Sequence, residues 1–466
     1  MQKGVLHDLL KTLTTREKKA FAAFVQSPVS GASPEIARLA ERLLDTGRPV
    51  AALDRQNKAA VFPGVFGQAA PYDDARLRKT MERLLRLLEQ FLVAEQQATA
   101  TFDFRLRLAE LLAERGQSKL LRRLLDAPLP WPPDEADWTT ADFGQAARWY
   151  QFLYDHRSNI EREHDPELHR RSMYCQTVAL LARRLRAACI FRSNQKDRAA
   201  WPPDPLLDWA AAAFPQADYA NLPLLQILFA GFQALASPGE PQYFFQFRDG
   251  LLAAPACFSR DEQRDLLLVA INFCSQRYNA GDTTWLDAQL ELYGYGLREE
   301  LLFENGWVTG YTFLNIGTLA LIGRRYAWLG EFLSNFRDKV EPRYRESAVA
   351  FNQARLDYAL RQYRPALALL QQDLFDDVLL SLSAKTVQAK CFQELGEYDL
   401  LEAHLEAMRK YIRRHKEIGQ YGERYLNFTA ALRRIIRIRP AQRAELRREI
   451  MAMSVLAEKE WLLALV

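Results

Sequence analysis

One pattern constrains this chain more than any other. A small residue, a tyrosine and two further packing residues recur at fixed offsets, three times between Phe313 and Tyr411. The tyrosines are Tyr326, Tyr363 and Tyr398, spaced 37 and 35 residues apart. Nine residues before them stand Gly317, Ala354 and Ala389. Three residues after them come Leu329, Ala366 and Leu401, and four further on Leu333, Leu370 and Leu405. This spacing fits helical hairpins in which an aromatic marks the turn and the small residue lets the second helix approach closely. Gly323 and Gly396 stand as turn glycines. A poorer fourth unit precedes them, with Cys274, Gly281, Leu286 and Leu290 in the corresponding roles. A single hairpin cannot bury its apolar face alone, but a stack of hairpins makes a continuous core.

The rest of the chain is consistent with such a stack. Leu6, Leu9, Leu10 and Leu13 form one apolar stripe, and Thr14-Thr15-Arg16-Glu17 is a capping box that opens a second helix. Ser27-Pro28 stops that helix, and Ser33-Pro34 opens a third. Phe62–Tyr72, broken by proline and glycine, reads as a connector. Leu77, Met81, Leu84, Leu85, Leu88, Phe91 and Leu92 then give a long amphipathic helix. Further caps at Thr139-Thr140-Ala141-Asp142, Asp165-Pro166, Asp204-Pro205 and Ser259-Arg260-Asp261-Glu262 start helix after helix. Period-2 alternation is absent. The expected fold is all-α: a right-handed helical-hairpin solenoid like that of tetratricopeptide (TPR) repeats, whose period is about 34 residues, preceded by a small helical N-terminal module. The expected divisions are 1–98 for the N-terminal module, 99–258 for irregular hairpins, and 259–466 for the repeats with their C-terminal capping helices.

Little here points to chemistry. There is no GxxxxGK[ST], no GxGxxG, no GxSxG and no HExxH. His156, His164 and His169 lie among Glu161, Glu163, Asp165 and Glu167, but only Glu161 and His164 have an i, i+3 ligand spacing, and Pro166 separates the histidines. A charged inter-helix loop is expected there. Asp376-Asp377 reads as a polar turn or cap. Trp-Pro-Pro-Asp occurs at 131–134 and again at 201–204, and its rings are expected to pack under extended loops. The five cysteines are scattered and lack CxxC, so they read as buried thiols of a reducing compartment. The start has no apolar signal core, and no apolar run is long enough to span a bilayer. No enzyme activity, metal, cofactor or membrane contact is expected, and the location is expected to be cytoplasmic.

The sharpest surface signal is basic. Over the whole chain 62 Lys and Arg nearly balance 58 Asp and Glu, yet residues 401–450 hold thirteen of the former and six of the latter. Arg409, Arg413 and Lys416 follow helical spacing, as do Arg433 and Arg437 with Arg434 beside them. Two adjacent helices would thus present a cationic face to an acidic peptide, a carboxylate terminus or a phosphate backbone. The bland reading is a solvated face whose arginines pair with acids on neighbouring helices.

Several segments together resemble a family of uncharacterised bacterial proteins with a TPR-like helical fold. They are Glu304-Asn305-Gly306-Trp307, Thr312-Phe313 with Asn315, Ala354-Arg355, Glu394-Leu395-Gly396-Glu397-Tyr398, Arg413-Arg414 and Glu458-Lys459-Glu460-Trp461-Leu462. Phe24 with Ser27-Pro28, the Phe62–Phe66 stretch and the Leu84–Leu92 helix fit the same picture, although Ser30-Gly31 stands where the family usually has Asn. Residues 130–240 have no counterpart in it. The resemblance implies a helical cytoplasmic protein and brings no catalytic residues. The leading expectation is an interaction scaffold for a peptide or partner protein, with Arg409, Arg413, Lys416, Arg433, Arg434 and Arg437 as the partner-binding set. A nucleic-acid-associated regulator is the second, disfavoured by the near-neutral net charge.

Overall fold

Helices make up most of the described residues, and the fold is all-α. The computed structural model describes residues 5–44, 55–99, 101–129, 131–194, 204–207, 212, 214, 217–371, 375, 377–415, 418–419 and 421–466. The strands among them are Phe303–Glu304 and Trp307–Val308, paired antiparallel. Asn305 and Gly306 between them take φ of 52° and 83°, the conformation of a tight hairpin turn. Two-residue strands are too short to show alternation, so their only sequence signal is Asn-Gly.

The chain divides into two compact units, Met1–Pro133 with Asp142–Gln176, and Asp134–Ala141 with Thr177–Val466. In the first, the helices Val5–Thr12, Thr15–Gln26, Pro34–Leu44, Arg55–Phe66 and Asp74–Thr99 enclose Leu10, Phe21, Leu39, Val65, Leu84 and Leu88. The Thr14 hydroxyl accepts the Glu17 N–H at 3.2 Å and the Glu17 carboxylate accepts the Thr14 N–H at 2.6 Å. The capping box is therefore present as read. Phe62–Phe66, read as connector, is instead the end of a helix with Pro63 inside it. Phe62 and Val65 are buried there, and Phe62 meets Phe66 and Tyr72 at ring separations of 4.5 and 5.2 Å. That burial outweighs the one helical hydrogen bond the proline removes.

In the second unit, successive hairpins follow one another. Pro223–Ala236 pairs with Pro241–Ala253, Arg260–Asn279 with Trp285–Arg298, Gly310–Ile322 with Tyr326–Phe336, Arg345–Ala359 with Tyr363–Leu370, Val378–Leu395 with Tyr398–Arg414, and Tyr421–Arg437 with Arg443–Ala452. The first helix Arg345–Ala359 packs on both Gly310–Ile322 before it and Val378–Leu395 after it. All six registered positions on the second helices, from Leu329 to Leu405, are buried.

The three turns share one geometry. Two residues before each tyrosine the backbone is left-handed, at Arg324 (φ 54°), Arg361 (φ 62°) and Gly396 (φ 69°). The next N–H reaches back five residues. Arg325 donates to Ala320 O at 2.8 Å, Gln362 to Asp357 O at 2.7 Å and Glu397 to Phe392 O at 3.0 Å. This is the Schellman bond that satisfies an orphan carbonyl at a helix end. Glycine suits the position, but only Gly396 occupies it. Gly323 stands one residue too early, and Arg324 and Arg361 adopt the strained conformation at about 1–2 kcal/mol each. The tyrosines are not the common anchor, since Tyr398 is 51% exposed. The same turn also closes Thr101–Glu114 onto Ser118–Leu125 in the first unit. Gly116 has φ 64° there, Gln117 N–H donates to Leu112 O at 2.8 Å, and Ala109 and Leu121 are buried nine residues before and three after Ser118. With serine in the aromatic place, an alignment on tyrosines passes over it.

Gly317 does a different job from the one expected. A Cβ on Gly317 would lie 2.4 Å from the Asn352 amide, on the next hairpin's first helix and not on the second helix of its own. Asn352 is fully buried and donates to Phe313 O at 2.9 Å. The missing methyl therefore sets the spacing between neighbouring hairpins. Gly317→Ala is expected to cost about 1–3 kcal/mol by overpacking, read as a fall in the urea midpoint. Gly317→Ala with Asn352→Ala should recover part of that loss.

Candidate functional site

Arg409 and Arg413 lie on Tyr398–Arg414 and Arg433, Arg434 and Arg437 on Tyr421–Arg437, and the last three each meet an acid from another helix. Arg437 binds Glu402 through two nitrogens at 2.7 and 2.6 Å, and Arg434 binds Glu449 at 2.5 and 3.1 Å. Arg433 reaches Glu406 at 3.0 Å, and Arg409 approaches the same carboxylate at 3.5 Å. Hydrogen bonds from Arg437, Arg433 and Arg434 hold the carboxyls of Glu402, Glu406 and Glu449 below the ordinary glutamate range. Arg413 is exposed and has no ion pair with a described residue, while Lys416 lies outside the described residues. These arginines thus tie Tyr421–Arg437 to the helices on either side of it, in the manner of the solvated, paired face.

A second charged group, which the repeat pattern left unread, lies on the first helices of the hairpins. Eight residues before each turn tyrosine stand Thr318, Arg355 and Lys390. Equivalent positions on stacked helices fall beside one another, and these three form a ladder. The Arg355 guanidinium donates to the Thr318 hydroxyl at 2.9 Å and lies 5.2 Å above the Phe351 ring. Burial lowers its pKa to about 10, with Glu458 acting in the opposite sense, so it stays charged at neutral pH. Lys390 pairs with Glu458 at 2.7 Å and keeps only 14% of its side chain exposed. Its ammonium sits 4.8 Å from the Tyr358 ring centre and 5.4 Å from that of Trp461, an arrangement in which ring quadrupoles stabilise a cation. Tyr358 and Trp461 both donate to one oxygen of Glu394, at 3.2 and 3.4 Å. Burial, and then Glu394, raise the Tyr358 pKa.

This cluster joins residues far apart in the chain. Arg355, Glu394, Glu458 and Trp461 belong to three of the segments that carried the family resemblance. The readable signal was the polar series Thr318, Arg355, Lys390 inside an otherwise apolar register. Two cations beside aromatic faces are chemically suited to a carboxylate and a ring.

Other candidates resolve into structure. Asp134 and Asp204 both cap turns with their carboxylates, and Trp131 donates its N–H to Gln145 at 3.1 Å while its ring packs 5.9 Å from that of Phe102. Trp201, Pro202, Pro203 and Asp376 lie outside the described residues, while Asp377 caps Val378–Leu395. His164 and His169 pack around Tyr154, and Arg157 pairs with Asp165. Among the described residues no three His, Cys, Asp or Glu are gathered at metal-binding range, and no helix is long and apolar enough to cross a membrane. All five thiols are free and buried, and burial pushes those of Cys189, Cys257, Cys274 and Cys391 up to about 12.

His404 adds a titratable element to the same hairpin. Its Nε2 lies 2.8 Å from Lys385 O, and burial lowers its pKa below 6.5. The folded state therefore keeps it neutral where the unfolded chain has begun to charge. Its contribution is present above pH 6.5 and lost as pH falls toward the lowered folded value. Thermal melts should show a decline below that pH, and His404→Gln should flatten that part of the profile.

No protein-family model matches the chain, and no curated protein or solved structure matches it either.

Proposed function

We propose that the chain is a non-enzymatic interaction scaffold of TPR-like hairpins, which binds a partner protein or peptide on the face formed by its first helices. The observation that carries this reading is the Thr318–Arg355–Lys390 ladder with its aromatic flank. Repeat proteins expose side chains at equivalent positions of stacked helices, and such rows bind extended or helical ligands. A half-buried cation pair flanked by rings selects an acidic ligand with an aromatic side chain. Arg433, Arg434 and Arg437 join Tyr421–Arg437 to its neighbouring helices through Glu406, Glu449 and Glu402.

The test is co-purification of the intact chain followed by mass spectrometry. The recovered partner should fall at least tenfold with Arg355→Gln and Lys390→Gln together, at unchanged helicity, and survive Arg433→Glu with Arg437→Glu in any fraction that folds. Capture indifferent to Arg355 and Lys390 would sink the ladder reading. Recovery of nucleic acid, lost steeply with added salt, would replace the scaffold by a nucleic-acid-associated protein.

A further inference from the structure

The ladder is already occupied, by the chain's own C-terminal segment. After Ala452 the backbone leaves helix, and the short helix Lys459–Ala464 packs on Arg443–Ala452 and Tyr421–Arg437 and brings Trp461 to Glu394 of Val378–Leu395. Glu458, the residue just before that helix, and Trp461 in its first turn are the groups that meet Lys390 and Glu394. A segment serving only to cap an apolar end needs only apolar contacts, and Leu456, Ala457 and Leu462 provide them. Glu458 and Trp461 add something else: a carboxylate on a half-buried ammonium, and an indole over it. That is how a helical ligand would be read on this surface. Glu458 also takes φ 54°, a left-handed conformation that is strained for a non-glycine and that release would relieve.

We propose that Ser454–Val466 is an intramolecular ligand that keeps the ladder closed. The partner that displaces it presents a large aromatic ring in the first turn of a helix and a carboxylate at the position just before that helix. This rests on the scaffold reading above and specifies both its ligand and its regulation. The polar anchors hold the segment in register, and exchange also breaks the Asn427 amide bond to Val455 O and the Ala457 N–H bond to Arg424 O. An incoming helix with the same two groups replaces like with like, so exchange needs no change in the hairpins.

The test uses the full chain and, as probe, a fluorescently tagged peptide of sequence Ser454–Val466. The wild-type chain should bind it weakly, because its own segment competes at high effective concentration. Glu458→Lys with Trp461→Ala opens the ladder and should tighten probe binding at least tenfold. Adding Lys390→Met should abolish the gain, and a probe with lysine in place of the glutamate should bind no better than to the closed chain. A well-folded opened chain that ignores the probe, or binds it regardless of Lys390, overturns the proposal. Hydrogen exchange on the wild-type chain guards against an opened variant that fails to fold. Amides of Leu462–Leu465 should exchange at least tenfold faster than the core of Val378–Leu395. Equal rates mean that the segment leaves only on global unfolding, which also overturns the proposal. If partner capture by the wild-type chain equals that by the opened chain, the scaffold stands and the latch falls.

Discussion

Phe313→Ala should be the most damaging single truncation in the repeat region, at about 3–5 kcal/mol of unfolding free energy. The ring is fully buried and packs against Phe332 at 4.8 Å, and the residue's carbonyl accepts the hydrogen bond of the buried Asn352. Truncation opens a cavity where two hairpins meet and loosens the amide that spaces them. The measurement is urea unfolding followed by far-UV circular dichroism. Tyr398→Ala supplies the contrast, because that ring is mostly in water and should cost less than about 0.5 kcal/mol. Tyr398 announces its hairpin without holding it together. Comparable losses for the two variants would mean that the aromatic register, and not the buried leucine register, carries the stack.

Lys390→Glu should cost about 2–4 kcal/mol, because it removes one partner of a half-buried pair and sets a new carboxylate beside two existing ones. Glu458 and Glu394 both lean on that ammonium, directly at 2.7 Å or through the rings it sits among. Added salt should recover part of the loss, since Glu458 remains partly exposed and its repulsion is screened. Lys390→Met, which keeps the aliphatic stem against Tyr358 and Trp461, should be milder. If Lys390→Glu proves as mild as Lys390→Met, the charge pairing contributes little, and the segment is held by Leu456 and Leu462 alone.

The hairpins were legible because three independent signals agreed: a small residue, a turn and two buried leucine-type positions at one spacing. Each is local or nearly so, and each has a direct physical cause. The details that failed were those set by neighbours in space. Gly317 is small because of Asn352, thirty-five residues on, and no spacing rule names that partner. Pro63 stands inside a helix because Phe62 and Val65 are buried on both sides of it, an effect propensity alone cannot weigh. The basic charge of 401–450 can be counted along the chain, while the pairing of Arg437 with Glu402 or Arg434 with Glu449 depends on which helices pack together. The Lys390–Glu458 contact lay deeper still, between residues 68 apart whose meeting depends on how the last hairpins turn.

That contact has a consequence for how the molecule comes apart. An array in which each hairpin touches only its neighbours loses its end units one by one, as a nearest-neighbour chain does. Here the last helix passes over the hairpin Tyr421–Ala452 and fastens to Val378–Leu395. The end of the row is thereby folded into a ring. Fraying from the C-terminus must first break Lys390–Glu458, after which the final two hairpins are free to melt together. The terminal units should therefore unfold as one cooperative block, and the ring, whose closure needs the longest stretch of chain to be ordered first, should be the last part of that block to form.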